Sequence, residues 1–240
     1  MSTFPNPYSR PQTLEYGTSA GVVARFMNNV YAWMAAGLAL TAVVAWMVAH
    51  NAAALSAIFN RGTFIFLILV ELGLVIAISY AIQRISAGVA TALFLLYAAI
   101  NGLTFSVIFL TYSLANIGVA FAITAGMFGG MSLIGYVTKM DLSSFRGFFI
   151  MGLLGIIIAS VVNIFLQSQP LYWFITYAGV ALFLGLTAYD TQKLKQIAYA
   201  TEGNPQMANR LAINGALALY LDFINLFLLM LRILGGNRRN

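Results

Sequence analysis

The sequence has no cysteine, a single histidine, and charge on only 8% of its 240 residues. The missing cysteines exclude disulfides, cysteine-based metal sites and thiol nucleophiles. The shortage of charge excludes an ordinary soluble domain, in which about 25% of residues are charged. Here 61% of residues are hydrophobic and the mean hydropathy is +0.89. Acidic residues are the scarcer sign, 6 against 12 basic, for a net charge of +6. The basic residues lie in short connectors rather than in one patch, which argues against a nucleic-acid partner. His50 falls at the end of a hydrophobic run and has no serine to form a catalytic pair. No glycine-rich nucleotide loop followed by Lys-Ser/Thr occurs. The inventory therefore predicts no enzyme, no catalytic residue and no resident cofactor.

What the sequence does contain is long uncharged runs. No Asp, Glu, Lys or Arg lies between Arg25 and Arg61, between Arg84 and Lys139, or between Arg146 and Asp190. A spanning helix needs about 20 apolar residues, so the two longest runs each hold two helices and a turn. The reading is an all-α polytopic membrane bundle of seven spans: residues 26–49, 64–82, 87–111, 115–138, 147–166, a sixth from after Pro170 to about Asp190 or, alternatively, on through Lys195, and 211–231. Residues 1–24, with Pro5, Pro7, Pro11, Arg10 and Glu15 and no apolar core, read as a tail and not as a cleaved signal. The membrane domain is expected over 25–234, with a C-terminal tail at 235–240. The longest polar connector is expected over 191–210, broken by Gly203 and Pro205.

Basic residues near span ends set the orientation. Arg10, Arg25, Arg84, Lys139, Arg146, Lys193, Lys195 and Arg210 fall on the side of the N-terminus. Arg61, Arg232, Arg238 and Arg239 fall on the other side. The N-terminus is therefore expected in the cytoplasm. The charge rule alone favours a re-entrant last segment, whereas its length favours a full, if short, span; the full span is retained. Ala122, Gly126 and Gly130 recur every fourth residue, a spacing that lets membrane helices approach closely. Gly152 and Gly155 give a weaker version of the same signal. Asn101, Asn163 and Asn214 read as interhelical hydrogen-bonding groups, and Tyr172 and Trp173 as interfacial anchors.

Three carboxylates fall inside or at the end of spans: Glu71, Asp190 and Asp222. A charge at the bilayer centre costs about 2.5–3.5 kcal/mol on insertion scales, so such groups face the bundle interior and find a partner or water. Arg210 and Arg232 lie about 18 Å and 15 Å along the helix axis from Asp222, which places it near mid-membrane. Glu71 also reads deep, and either a functional role or a hydrogen bond to a neighbouring helix would account for it. Asp190, close to Lys193, reads as shallow and could be an interfacial residue paired with Lys193 or Arg210. Asn225 follows Asp222 by one turn on the same face.

Two stretches are more specific. Thr187-Ala188-Tyr189-Asp190-Thr191-Gln192-Lys193-Leu194 and Leu219-Tyr220-Leu221-Asp222-Phe223-Ile224-Asn225-Leu226-Phe227 resemble the signature of the Bax inhibitor-1 family. Gly135-Tyr136-Val137-Thr138-Lys139-Met140-Asp141-Leu142-Ser143 fits the same pattern, and the order of spans resembles the bacterial inner-membrane branch. The resemblance implies a seven-helix fold with the last helix surrounded by the other six. It also implies a pH-sensitive calcium leak controlled by Asp190 and Asp222 as a di-aspartyl pair. In the family an arginine on the second helix can lock the pore by pairing with the aspartate matching Asp190. Ala81 and Ile82 stand near that position here, and Arg84 is the nearest candidate. Glu71 matches an acidic position of some relatives.

The chemistry is consistent with general principles. Calcium prefers hard oxygen ligands, so Asp190 and Asp222 are candidate calcium contacts. Two facing carboxylates in a low-dielectric interior cannot comfortably both ionise and would share a proton. Protons then compete with calcium, while protonation of Asp190 would release an arginine lock; these effects oppose each other in sign. The expected partners are the lipid bilayer, calcium and protons. A second reading is a non-transporting regulator of membrane proteins, such as a membrane-bound ATP-dependent protease. A remote third is an intramembrane aspartyl protease: Tyr189-Asp190 fits one half of its usual motif pair, but Tyr220-Leu221-Asp222 lacks the glycines of the Gly-x-Gly-Asp half.

Overall fold

The computed structural model describes residues 19–82 and 84–235. The expected tails, including Arg10, Arg238 and Arg239, lie wholly or largely outside these residues. Eight α-helices and one 3₁₀ turn follow in order: α1 Ser19–Ala49, α2 Ala52–Ile58, α3 Arg61–Ala81, α4 Ala87–Thr111, α5 Leu114–Val137, the 3₁₀ turn Leu142–Phe145, α6 Arg146–Leu166, α7 Gln169–Ala200 and α8 Pro205–Gly235. Seven of them are long and apolar enough to cross a membrane. The short α2 is not anticipated by the sequence reading; it fills the connector between the first two spans.

Local chemistry sets most boundaries. Orphan backbone N–H groups at helix starts need an acceptor, which is costly to omit near lipid. Ser86 and Ser113 supply it for α4 and α5, accepting from the N–H of Val89 and Asn116 at 3.3 Å each. Ser168 caps α7 in the same way, just before Pro170. Asn204 accepts from Met207 N–H at 3.0 Å at the start of α8. Gln167 ends α6 in the left-handed region, φ 50°. Asn163 accepts from Ser168 N–H at 3.0 Å, so it serves the α6–α7 turn and not an interhelical contact.

Two expectations about the end of the chain are corrected. The polar connector expected over 191–210 shrinks to 201–204, because α7 continues to Ala200 and α8 begins at Pro205. The extra turns of α7 hold together because their polar groups find partners. Gln192 Nε2 donates to Met140 O at 2.7 Å while its Oε1 accepts from Leu142 N–H at 2.8 Å. Lys195 Nζ donates to Tyr136 O at 2.9 Å. The last span is also not short: α8 has 31 residues.

Helix α8 is the most buried of the spans and packs directly on α1, α4, α5 and α7. Helix α3 packs on α4 at the periphery, and α6 leans on α7. The last helix is thus central, with four direct neighbours instead of the six expected. Tyr220 sits at its core, fully buried, edge-on to Phe94 and Tyr97 with ring centroids 5.8 Å away in each case.

The glycines that bring helices together are not those the spacing suggested. A side chain at Gly135 would strike the backbone of Ala188, joining α5 to α7. One at Gly102 would strike Thr41 and Val44 of α1. Gly126 and Gly130 have open space where a Cβ would stand, and Ala122 is exposed beside them. That stripe faces away from the bundle. Periodicity identifies a shared face but not what the face meets. Gly152 does meet Leu182 of α7, whereas Gly155 meets nothing.

Candidate functional site

A cavity of about 650 Å³ lies between α6, α7 and α8, and both Asp190 and Asp222 line it, with Asn225, Ser160 and Arg232. The relative heights of the two acids follow from three α7–α8 contacts. Leu194 packs where a side chain on Gly215 would stand, and Leu229 does the same at Gly179. Arg232 Nη1 donates to Thr176 Oγ1 at 3.4 Å. Each contact implies the same antiparallel register, in which Asp190 is level with Ala218 and Asp222 with Leu186. At 5.4 Å per turn, Asp222 lies about one turn deeper than Asp190. The apparent mismatch between a shallow Asp190 and a deep Asp222 disappears because α7 extends ten residues past Asp190.

Asp222 is 5% exposed, and its Oδ2 is buried without a hydrogen-bond partner. Among the described residues, neither aspartate has a hydrogen bond or an ion pair. Leaving a buried polar group unmatched is expensive, so the arrangement is one that water, a proton or a cation would stabilise. Asn225 Nδ2 donates to Leu221 O at 2.8 Å, which leaves its Oδ1 available to the cavity. Ser160 Oγ donates to Ile156 O at 2.7 Å and retains lone pairs. Calcium takes 6–8 oxygen ligands. Among the described residues no group of three or more His, Cys, Asp or Glu exists. The two carboxylates and Asn225 therefore fall short of the ligand number of a closed resident calcium site.

The other sequence-predicted residues fall elsewhere. Glu71 is on α3, where its Oε1 accepts from Thr104 Oγ1 of α4 at 2.9 Å. This is the hydrogen bond to a neighbouring helix that the sequence left as one alternative. Arg84 is exposed in the α3–α4 connector and does not line the cavity. The basic side chain that does is Arg232, at the opposite end from Asp190. Its guanidinium lies over the Tyr172 ring, 4.8 Å from the centroid. Tyr172, expected as an interfacial anchor at a span end, also supports Arg232. The signal was available: Asp222, Asn225, Leu229 and Arg232 follow at i, i+3, i+7 and i+10, one helix face.

Outside the bilayer, the α5–α6 connector carries its own carboxylate. Asp141 Oδ1 accepts from Ser143 N–H at 2.9 Å and Ser143 Oγ at 2.6 Å. These hydrogen bonds hold its carboxyl below the usual carboxylate range.

Fold and site together define a polytopic helical membrane protein with a carboxylate pair on an intramembrane cavity. A family model described as "Inhibitor of apoptosis-promoting Bax1" matches residues 23–239. The chain is 53% identical over 215 residues to inner membrane protein YbhL of Escherichia coli K12, covering 89% of this chain and 92% of that one. It is 49% identical over 218 residues to an uncharacterized protein of Deinococcus radiodurans, covering 91% and 92%. An uncharacterized Caulobacter vibrioides protein is 34% identical over 251 residues, covering 99% of this chain and 100% of its own. The chain belongs to the Bax inhibitor-1 family.

Proposed function

We propose that this chain is a multi-pass inner-membrane protein that lets calcium leak in a pH-sensitive manner, with Asp190 and Asp222 as the proton-sensitive ion contacts. The observation that carries the reading is the placement of the two acids one turn apart on one cavity, with Asp222 Oδ2 unmatched. Carboxylates that interact at this range titrate as a unit, so proton and calcium occupancy would be linked. Asn225 supplies the next oxygen along the cavity, and Arg232 the positive charge at its far end. Glu71 and Arg84 lie outside the cavity and take no part in this reading. The excess of basic connectors on the N-terminal side favours a cytoplasmic N-terminus, which puts Asp190 on the cytoplasmic side of Asp222.

The test is calcium efflux from protein-containing liposomes at a series of pH values. Wild-type efflux varies with pH under this reading, and Asp190→Asn and Asp222→Asn each change both its rate and its pH profile. Efflux unchanged in both variants would remove the pair from any transport role. Absence of efflux, together with a stoichiometric co-purifying membrane protease, would replace the reading with that of a regulator.

A further inference from the structure

An ion path needs only the acidic end of the cavity. Most of the wall is apolar, including Leu153, Ile156, Phe183, Leu186, Leu228 and Leu229. A volume of about 650 Å³ is that of a small-molecule pocket, a class that combines apolar walls with a few placed polar groups. Apolar space of this kind does not hold water well. On α6, Ile157, Val161 and Ile164 line the cavity while remaining 50%, 51% and 69% exposed. That wall is open and not sealed, and α6 rests on α7 without packing tightly on α8. At the other extreme stands Asp222, nearly fully buried, with an oxygen that nothing matches. The positive charge of Arg232 is held about 15 Å along α8 from Asp222, against Tyr172 and Thr176.

From this we infer that the α6–α7–α8 cavity is a binding site for a lipophilic organic cation, its positive centre beside Asp222 and Asp190 and its apolar body along the α6 and α7 walls. A bare or hydrated metal ion gains nothing from Phe183 or Leu229. A cation with an aromatic or alkyl body gains from both ends of the cavity at once. Its positive charge replaces the missing partner of Asp222, and its body fills space that water would leave dry. Such a molecule dissolves in the bilayer and reaches the site through the open α6 side. The inference goes beyond the calcium reading and does not rest on it, since it concerns occupancy and not flux.

The experiment is equilibrium binding of radiolabelled tetraphenylphosphonium to the purified full-length protein in detergent, against protein-free micelles. Tetraphenylborate, with the same shape and opposite charge, is the control. The expected result is saturable binding of one tetraphenylphosphonium per chain, with no saturable binding of tetraphenylborate. Asp222→Asn is expected to weaken binding at least about tenfold. Ile157→Trp, which fills the mouth from a half-exposed position and leaves both acids in place, is expected to weaken it as well, so the inference does not depend on how Asp222→Asn folds. Equal affinity in wild type and both variants, equal binding of the two probes, or binding no greater than that of empty micelles would overturn it.

Discussion

The central helix is oriented by one buried hydrogen-bonded pair, whose removal should be asymmetric. Thr41 Oγ1 donates to Ala98 O at 2.8 Å and lies 2.7 Å from the Tyr220 hydroxyl. A threonine hydroxyl has one proton, and Ala98 O takes it, so Tyr220 is the donor to Thr41. In Tyr220→Phe, Thr41 keeps its own donation and the ring keeps its place against Phe94 and Tyr97. The loss is one intramembrane hydrogen bond, about 0.6 kcal/mol. In Thr41→Val, the fully buried Tyr220 hydroxyl loses its acceptor, which costs about 1–3 kcal/mol. The carbonyl of Ala98 keeps its helical partner in either case. In the double variant both polar groups are gone, so its cost should fall below that of Thr41→Val alone. Reversible unfolding in mixed micelles, titrated with a denaturing detergent, measures all three. The reasoning fails if Tyr220→Phe costs as much as Thr41→Val, or if the double variant equals the sum of the singles. Tyr220 stands two residues before Asp222 and points to the opposite side of α8, so the pair also sets which way Asp222 faces.

Further consequences concern packing and the connector. Gly135→Val places a side chain against the backbone of Ala188 and should cost about 3 kcal/mol, or roughly a hundredfold in folding equilibrium, at the upper end of the usual range for overpacked cores. Gly126→Ala and Gly130→Ala meet open space and should be neutral or stabilising by up to about 1 kcal/mol from helix propensity; thermal denaturation in detergent ranks the three. Gln192→Leu breaks both hydrogen bonds to the α5–α6 connector and should cost about 1–3 kcal/mol, with faster amide exchange confined to residues 140–146. Asp141 has its folded pKa below the unfolded one, near 3.9. Its contribution to the connector is therefore present above that value and lost as pH falls through the lower folded one. Exchange protection of Ser143, normalised for intrinsic rate, should drop across that window in wild type and not in Asp141→Asn.

How legible the molecule was varies with the kind of signal. The fourth and fifth helices begin where expected because a serine cap and an uncharged run coincide at Ser86 and Ser113. The early start of α8 was not legible, and the extension of α7 was legible only as the alternative of a helix running on through Lys195, since Gln192, Lys193 and Lys195 make a helical stretch look like a loop until Gln192 is seen on the α5–α6 connector and Lys195 on α5. Small-residue spacing marked a real face at Ala122, Gly126 and Gly130 but carries no information on whether protein or lipid covers it. Asp190 and Asp222 stood out singly, because a carboxylate in an apolar run is conspicuous. Their relative height needed the contacts of Gly179, Gly215 and Thr176, which pair residues far apart in the chain. Arg232 was read only as a charge at a helix end, although it lies on the same face as Asp222 and Asn225.

The most direct test of the account is whether the two aspartates act as a unit in transport. Calcium efflux is measured across a pH series for wild type, Asp190→Asn, Asp222→Asn and the double variant in the same liposomes. A shared site predicts that either single substitution abolishes the wild-type pH dependence and that the double variant adds nothing further. Two independent, additive effects on the pH profile, or a profile unchanged by either substitution, would contradict it.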